Sequence, residues 1–397
     1  MTKYLIQGGL RKVVPEYDII STFVKDRWRD RSVLEVLSTE LKNRDEAYYH
    51  SQILAEKIKV RRGKNRKGAN LVTYSGVSLL EPVFLLQNSD ILERTIHRHE
   101  PPVHVGYNAD GRIDIIHEDD EICVINKPSG IPCHPTANYY HNTITEILRA
   151  QSNGQMLYLC HRLDKLTSGI LIMAKSSEAA AKVTKMIKER SVQKEYLARV
   201  RGNFPNTSTN SHDNIQEGGD IVVDLPTYVL RTNRSFENCM DEFKPAKTIF
   251  RRLSYRSDDD TSMVFCKPLT GRTHQIRLHL QMLGYPIVND PVYGDRERKC
   301  DNLYKWKTLL EKGKENGHPL IDSSLIDAAR LEYESIRGRK DVKRELLMNN
   351  EVCQECEGNL FYDPDPNELV LWLHALRYYA TDESWRFETE TPKWAKD

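Results

Sequence analysis

Apolar residues follow two different spacings along the chain. Through the first hundred residues they recur at helical intervals. In DRSVLEVLSTELKN, Val33, Leu37 and Leu41 share one face of a helix, and Ser32 followed by Glu35 has the form of a capping box. DEAYYHSQILAEK predicts a second helix, so this part reads as a small helical unit. After HRHEPPV, residues 97–103, whose paired prolines mark a domain edge, the spacing becomes that of strands. Ile113 and Ile115, then Ile122 and Val124, are placed for strands facing a core, and KPSGIP is a turn with two breakers. GILIMA predicts a buried strand, and KEYLARVRG an alternating one with Tyr196, Ala198 and Val200 on one side. Between them, Ala179, Val183, Met186 and Ile187 form a helical stripe behind a serine cap. TIFRRLSY, then SMVFCKPLTGRTHQIRLHLQMLGYPIVNDPVYG including its HQIR segment, and LVLWLHALRYYA supply further strands. Strands and helices do not alternate regularly, so the expected class is α+β with a mixed, largely antiparallel central sheet.

Two domains are expected: an N-terminal module over 1–103 and a second domain over 104–397, carrying a charged insertion at about 295–366. Residues 203–220 are polar and read as a surface loop. The whole chain has 58 basic and 57 acidic side chains, so any case for an anionic partner must be local. The segment 57–67, KIKVRRGKNRK, makes that case with seven basic residues and no acidic one. Read as a loop, it offers Lys59, Arg61, Arg62 and Lys64 to phosphates without reading sequence. The eight cysteines are scattered rather than clustered, which favours free thiols in a reducing compartment. No apolar run approaches the roughly 20 residues needed to span a bilayer. A cytoplasmic protein is expected, with a mitochondrial or nuclear address as alternatives; the acid-free first fifteen residues are the one hint of the former.

The chemistry concentrates in LCHRLDKLTSGILIMAK, residues 159–175, where Asp164 stands in a polar loop just before the buried strand. By itself such an aspartate is an ordinary turn carboxylate paired with Arg162 or Lys165. Its companions change that reading. HRLDKLTSG, INKPSGIPCHP, KEYLARVRG and TGRTHQIRLHLQMLGYPIVNDPVYG, with LHA later, stand in the order and at the spacings of the RluA-type pseudouridine synthases, which the chain resembles over most of 110–294 and again near 369–394.

The resemblance implies that a uracil is detached from its ribose at N1 and rejoined through C5, with one aspartate and no cofactor, in a cleft of the central sheet. Asp164 takes the aspartate's place. Breaking the glycosidic bond builds oxocarbenium-like charge that an ionised carboxylate can stabilise or trap, and water must be kept out. Attack on ribose C1′, attack on the base and removal of a ribose proton all remain open. The family's supporting arginine falls on Arg277, on the HQIR strand, and its base-packing tyrosine on Tyr196. Arg162 takes the place of a residue that fills the gap left by a flipped uridine, with His161 beside it as an RNA contact. Thr167, Ser168 and Gly169 shape the turn, and Lys127 and Pro128 buttress the pocket.

Members with an HRHEPPV junction resemble the fungal and wider eukaryotic branch, which acts mainly on transfer RNA, on the 5′ side of the anticodon stem-loop. Transfer RNA is therefore the expected partner of a monomer with no obligate protein partner. Ribosomal RNA, or a non-catalytic RNA-binding protein of the same fold, are the alternatives. No metal is expected: CQEC, with Cys353 and Cys356, is half a zinc set with no second pair at the usual spacing, which Cys300 or His374 could complete, and His97 and His99 read as meeting RNA or solvent.

Overall fold

Ser168–Ala174 is buried at every position, as is Glu195–Val200 within the strand Val192–Arg201, which places both inside a sheet covered on two faces. The computed structural model describes residues 3–41, 44–63, 71–136, 138–206, 215–216, 219–227, 244–294 and 348–396. They form two units, one of 1–13, 100–351 and 359–397, the other of 14–99 and 352–358. The boundary expected near 103 thus lies at 99, with the first thirteen residues counted in the larger unit and a short distant segment in the smaller.

The larger unit is built on an eleven-stranded sheet. In chain order its strands are β1 (Asp114–Glu118), β2 (Ile122–Lys127), β3 (Tyr158–Leu159), β4 (Ser168–Ala174), β5 (Val192–Arg201), β6 (Ile215–Gln216), β7 (Asp220–Asp224), β8 (Lys247–Arg256), β9 (Thr261–Pro268), β10 (Leu373–Ala380) and β11 (Arg386–Glu388). Their spatial order is β6-β7-β8-β9-β5-β10-β4-β2-β1, with β3 beside β4 and β11 beside β10. Every pairing is antiparallel except β4 with β10. Helices α1 (Ile144–Gln151), α2 (Ser177–Lys188) and α3 (Gln275–Met282) belong to the same unit, as does a separate three-stranded sheet of Tyr4–Gln7, Leu10–Val13 and Val103–His104, and Ser176 caps α2 by accepting from Ala179 N–H. Among the described residues the fold is α+β with a mixed, mostly antiparallel sheet.

The Asp164 loop leads directly into β4, whose first residues, Ser168 and Gly169, form the parallel pairing with His374 and Ala375 of β10. The approach depends on Gly169, at φ +106°: a Cβ there would stand 2.2 Å from the carbonyl oxygen of Ala375. Gly169→Ala should cost roughly 2 kcal/mol or more of stability, measured by denaturant unfolding, since both backbone strain and a main-chain clash oppose it. A cost below roughly 0.5 kcal/mol, the level of a neutral surface change, would mean that the two strands part easily.

The smaller unit differs from a purely helical reading. The Ser32 cap is present, accepting from Glu35 N–H, and Glu46–Leu54 is the second helix, capped by Asp45. Both pack with an antiparallel sheet ordered Glu16–Phe23, Ile91–Arg98, Ile58–Arg62 and Val72–Ser75. Glu16–Phe23 leaves Ile19 and Phe23 exposed, so its apolar residues do not mark the buried face and the strand is invisible to periodicity.

Two further expectations are corrected in the larger unit. Ile115 is 51% exposed rather than facing the core: buried Ile113 precedes the strand, and within β1, the edge strand of the sheet, Ile115 points outward. HQIR opens α3 and is not a strand. Gln275 to Gln281 are all buried, so the Ile276, Leu278, Leu280 alternation carries no facial information. The interleaved polar residues are satisfied inside: Gln275 Nε2 donates to Lys247 O and Thr248 Oγ1, and His279 Nδ1 meets Thr248 Oγ1 at 2.9 Å.

Candidate active site

The main chain of the turn bearing Asp164 is held by side chains of the INKPSGIPC segment. Lys127, fully buried at the end of β2, donates to the carbonyls of Pro128 (2.8 Å), Lys165 (3.1 Å) and Thr167 (2.8 Å). Burial pushes its ammonium down to about 8, so the cation persists at neutral pH among these carbonyl dipoles. The Ser129 hydroxyl donates to Leu166 O, and Leu163 N–H donates to Cys133 Sγ at 3.4 Å. Thr167 N–H closes the turn on Asp164 O at 3.1 Å. Behind it, Ser168 Oγ meets His374 Nδ1 at 2.8 Å, and His374 Nε2 meets Thr389 Oγ1 at 2.6 Å. This anchors the LHA segment to the loop.

From that turn the Asp164 carboxylate enters a cavity of about 780 Å³ lined by Arg162, Lys194, Tyr196, His274 and Arg277 among others. The volume is within the range of small-molecule sites. Arg277, in the first turn of α3, brings Nη1 to 3.2 Å from Asp164 Oδ2. Its Nε and Nη2 fork onto Asp290 at 2.7 and 2.8 Å, and its guanidinium lies 5.0 Å from the Tyr293 ring centre. Asp290 Oδ1 also accepts from Val292 N–H and Tyr293 N–H. The bidentate pair fixes the guanidinium plane, so the remaining nitrogen is aimed at Asp164 rather than left to sample rotamers.

The electrostatics agree with this geometry. Burial would raise the Asp290 carboxyl, but the hydrogen bonds and charge of Arg277 and the two backbone N–H groups outweigh it and hold Asp290 below the usual aspartate range. Burial would lower Arg277, yet the hydrogen bond and charge of Asp290, with Asp164 beyond, push it higher still. The guanidinium is a permanent cation. His274 caps α3 in the left-handed region at φ 55°, with Nε2 3.7 Å from Asp164 Oδ2 and Nδ1 2.9 Å from the Tyr293 hydroxyl. Tyr196, on β5, has its hydroxyl bonded to that of Tyr378, and burial raises its pKa, so the phenol stays neutral.

The other expected site residues fall into distinct settings. Arg162 is exposed beside Asp164. His161 packs its ring on Tyr378 at 5.1 Å, and its Nε2 accepts from Ile172 N–H at 3.1 Å. Burial, with help from Lys194, pushes its pKa down to about 3, so it is neutral, with Nε2 engaged by the main chain. In the smaller unit, residues 58–62 are a strand and not a loop. Lys59 is on that strand; Arg61 pairs with Glu93 at 2.7 Å, and Arg62 is bidentate to buried Asp90. Lys64 lies outside the described residues.

Sequence reasoning gave no role to Asp290 or His274, although both stand inside the quoted TGRTHQIR…NDPVYG stretch. An acid within a proline-flanked apolar segment was the available signal for Asp290. The structure adds the reason: it is buried against an arginine thirteen residues away.

Comparison with known proteins places this geometry in context. The family described as RNA pseudouridylate synthase matches residues 121–282, which include Asp164, Tyr196 and Arg277. The chain is 38% identical to the Saccharomyces cerevisiae protein named tRNA pseudouridine(31) synthase, over 98% of this chain and 96% of that one. It is also 38% identical to the protein of the same yeast named tRNA pseudouridine(32) synthase, mitochondrial, over 98% of this chain and 78% of that one. With mouse Pseudouridylate synthase RPUSD2 it shares 33% identity, over the whole of this chain and 73% of that one.

Proposed function

This chain belongs to the RluA-type pseudouridine synthase family and is an RNA pseudouridine synthase, and from that premise we propose that it isomerises a uridine of transfer RNA on the 5′ side of the anticodon stem-loop, at position 31 or 32. The names of the two yeast relatives support the substrate. Asp164 is the catalytic carboxylate, and the observation that carries this assignment is its contact with a guanidinium locked by a second, buried acid.

The target uridine leaves its stack and enters the cavity, at an unstacking cost of a few kcal/mol. The N1–C1′ bond breaks, and the base retains the electron pair on its own carbonyl oxygens. The base turns within the cavity, C5–C1′ forms, the hydrogen of C5 leaves as a proton and N1 gains one. Nothing is oxidised or hydrolysed, so the chemistry closes without a cofactor. Asp164 meets the sugar or base during this exchange while Arg277 Nη1, 3.2 Å from Oδ2, holds the carboxylate in place. Tyr196 packs on the base as a neutral phenol, and Arg162 reaches out to occupy the vacated stack.

The substrate is tested by mapping pseudouridine in cytoplasmic and mitochondrial transfer RNA and in ribosomal RNA, from cells with and without this chain. Loss of the mark at position 31 or 32 of transfer RNA is the expected result. Loss confined to ribosomal RNA would overturn the choice.

The basic strand of the smaller unit is proposed to contact phosphates through Lys59, with Lys64 beyond it. Lys59→Gln with Lys64→Gln should weaken RNA binding and lower the slope of log K against log salt by about one for each lost contact. Arg62→Gln should act differently. It strands the buried Asp90 carboxylate, so its main effect is lost stability rather than a changed slope. An unchanged slope for the double lysine variant would remove this strand from the interface.

A further inference from the structure

Outside the uridine site, two histidines and two cysteines of the smaller unit converge. His97 is the penultimate residue of the strand Ile91–Arg98 and His99 follows its end, with the two rings edge to face at 4.7 Å between centroids. Cys353 and Cys356 sit on a tight turn closed by Cys353 N–H to Gly358 O at 2.8 Å and Glu357 N–H to Cys353 O at 2.9 Å. The turn sets Cys353 Sγ 3.4 Å from His97 Nδ1 and Cys356 Sγ 3.3 Å from His99 Nε2. All four ligand atoms lie within 4.8 Å of one another. With Zn–S near 2.3 Å and Zn–N near 2.0 Å, a tetrahedral centre requires S···N separations of about 3.5 Å.

The surroundings are those of a ligand set and not of a chance cluster. Glu355 Oε2 stands 3.9 Å from His97 Nε2, on the ring edge opposite Nδ1, so its negative charge lies beside the imidazole while Nδ1 faces Cys353. Glu355 N–H points at Cys353 Sγ from 3.4 Å, which favours a thiolate. The Tyr17 ring stacks on His97 with centroids 4.7 Å apart. Any side chain at position 358 would crowd the site, since a Cβ there falls 3.1 Å from Cys356 Sγ and 2.8 Å from Arg44 Nη2.

We propose that His97, His99, Cys353 and Cys356 form a zinc site that fastens segment 352–358 to residues 14–99. Two thiolates and two neutral imidazoles cancel the charge of the ion, and soft sulfur with imidazole selects zinc over magnesium or calcium. Four protein ligands leave no open position, so the ion is structural. This revises the expectation that CQEC lacks a partner. His374, one of the residues considered to complete it, is instead bonded to Ser168 and Thr389, and Cys300 lies outside the described residues. The partners are the two histidines of HRHEPPV, more than 250 positions away in the chain.

The test begins with the full chain purified under reducing conditions without added metal, its zinc measured by inductively coupled plasma mass spectrometry. One zinc per chain is expected, falling below about one-tenth in Cys356→Ser and in His99→Ala. A second measurement needs no variant: the native chain is stripped with a chelator under reductant and titrated with Co2+. The intense visible bands of tetrahedral cobalt, with thiolate-to-metal charge transfer that added zinc displaces, support the site. Retention of zinc by both variants, failure of the stripped chain to bind Co2+, or a Cys353–Cys356 disulfide as the resident state of the native chain would each overturn it.

Discussion

Asp164→Asn abolishes tritium release from RNA labelled at uridine C5, while RNA affinity stays within about twofold of the native value. Isomerisation must expel the hydrogen of C5, whereas binding alone leaves it in place, so the assay separates an enzyme from an RNA-binding protein of the same fold. The expected fall in rate is on the order of 10⁴ or more, because the amide can neither bond to the sugar or base nor offer a full negative charge to an oxocarbenium-like centre. The substitution is nearly isosteric and still accepts from Arg277 Nη1, now at 3.2 Å from Asp164 Oδ2, so the fold and the cleft should survive. Equal release by the two proteins would remove Asp164 from the chemistry. Free uracil in the native reaction would point instead to hydrolysis.

The second large effect is expected at the arginine between two acids. Arg277→Met leaves Asp290, whose side chain has no solvent exposure, as an uncompensated buried carboxylate, and should cost about 3–5 kcal/mol of stability along with the activity. Arg277→Lys keeps a charge but not the fork that holds Asp290 and Asp164 together, so activity should fall by more than stability does. The pH dependence follows from Asp290, whose folded pKa is depressed. The stabilisation is then fully present above the ordinary aspartate value of about 3.9 and is lost as pH falls through the lower folded value. Unfolding followed against pH should show this acid loss in the native chain and a flatter acid limb in Asp290→Asn. A native stability that does not fall below about pH 4 would show that the pair contributes little.

Much of the site was legible because its parts are local. The HRLD turn, the buried GILIMA strand and the serine-capped helix each rest on the nearest neighbours in the chain, and the structure contains the last two as β4 and α2. The strand assigned to HQIR failed for a definite reason. A helix buried on every side has no polar face, so Ile276, Leu278 and Leu280 alternate with polar residues whose partners lie on β8 and beyond. The charged segment at 57–67 misled in a similar way: the sequence displays the basic residues but not Glu93 and Asp90, which occupy two of them.

By itself, the sequence carried the α+β class in its short-range patterning and, through its resemblance to the family, the kind of chemistry and the candidates Asp164, Arg277 and Tyr196. Only the tertiary structure decided that Asp290 locks Arg277, that Lys127 holds the turn from beneath, and that His97 and His99 meet Cys353 and Cys356. Those contacts join residues 13 to 257 positions apart, and the energy that selects them comes from burying charge and polar groups with the right partner, which no local pattern of residues records.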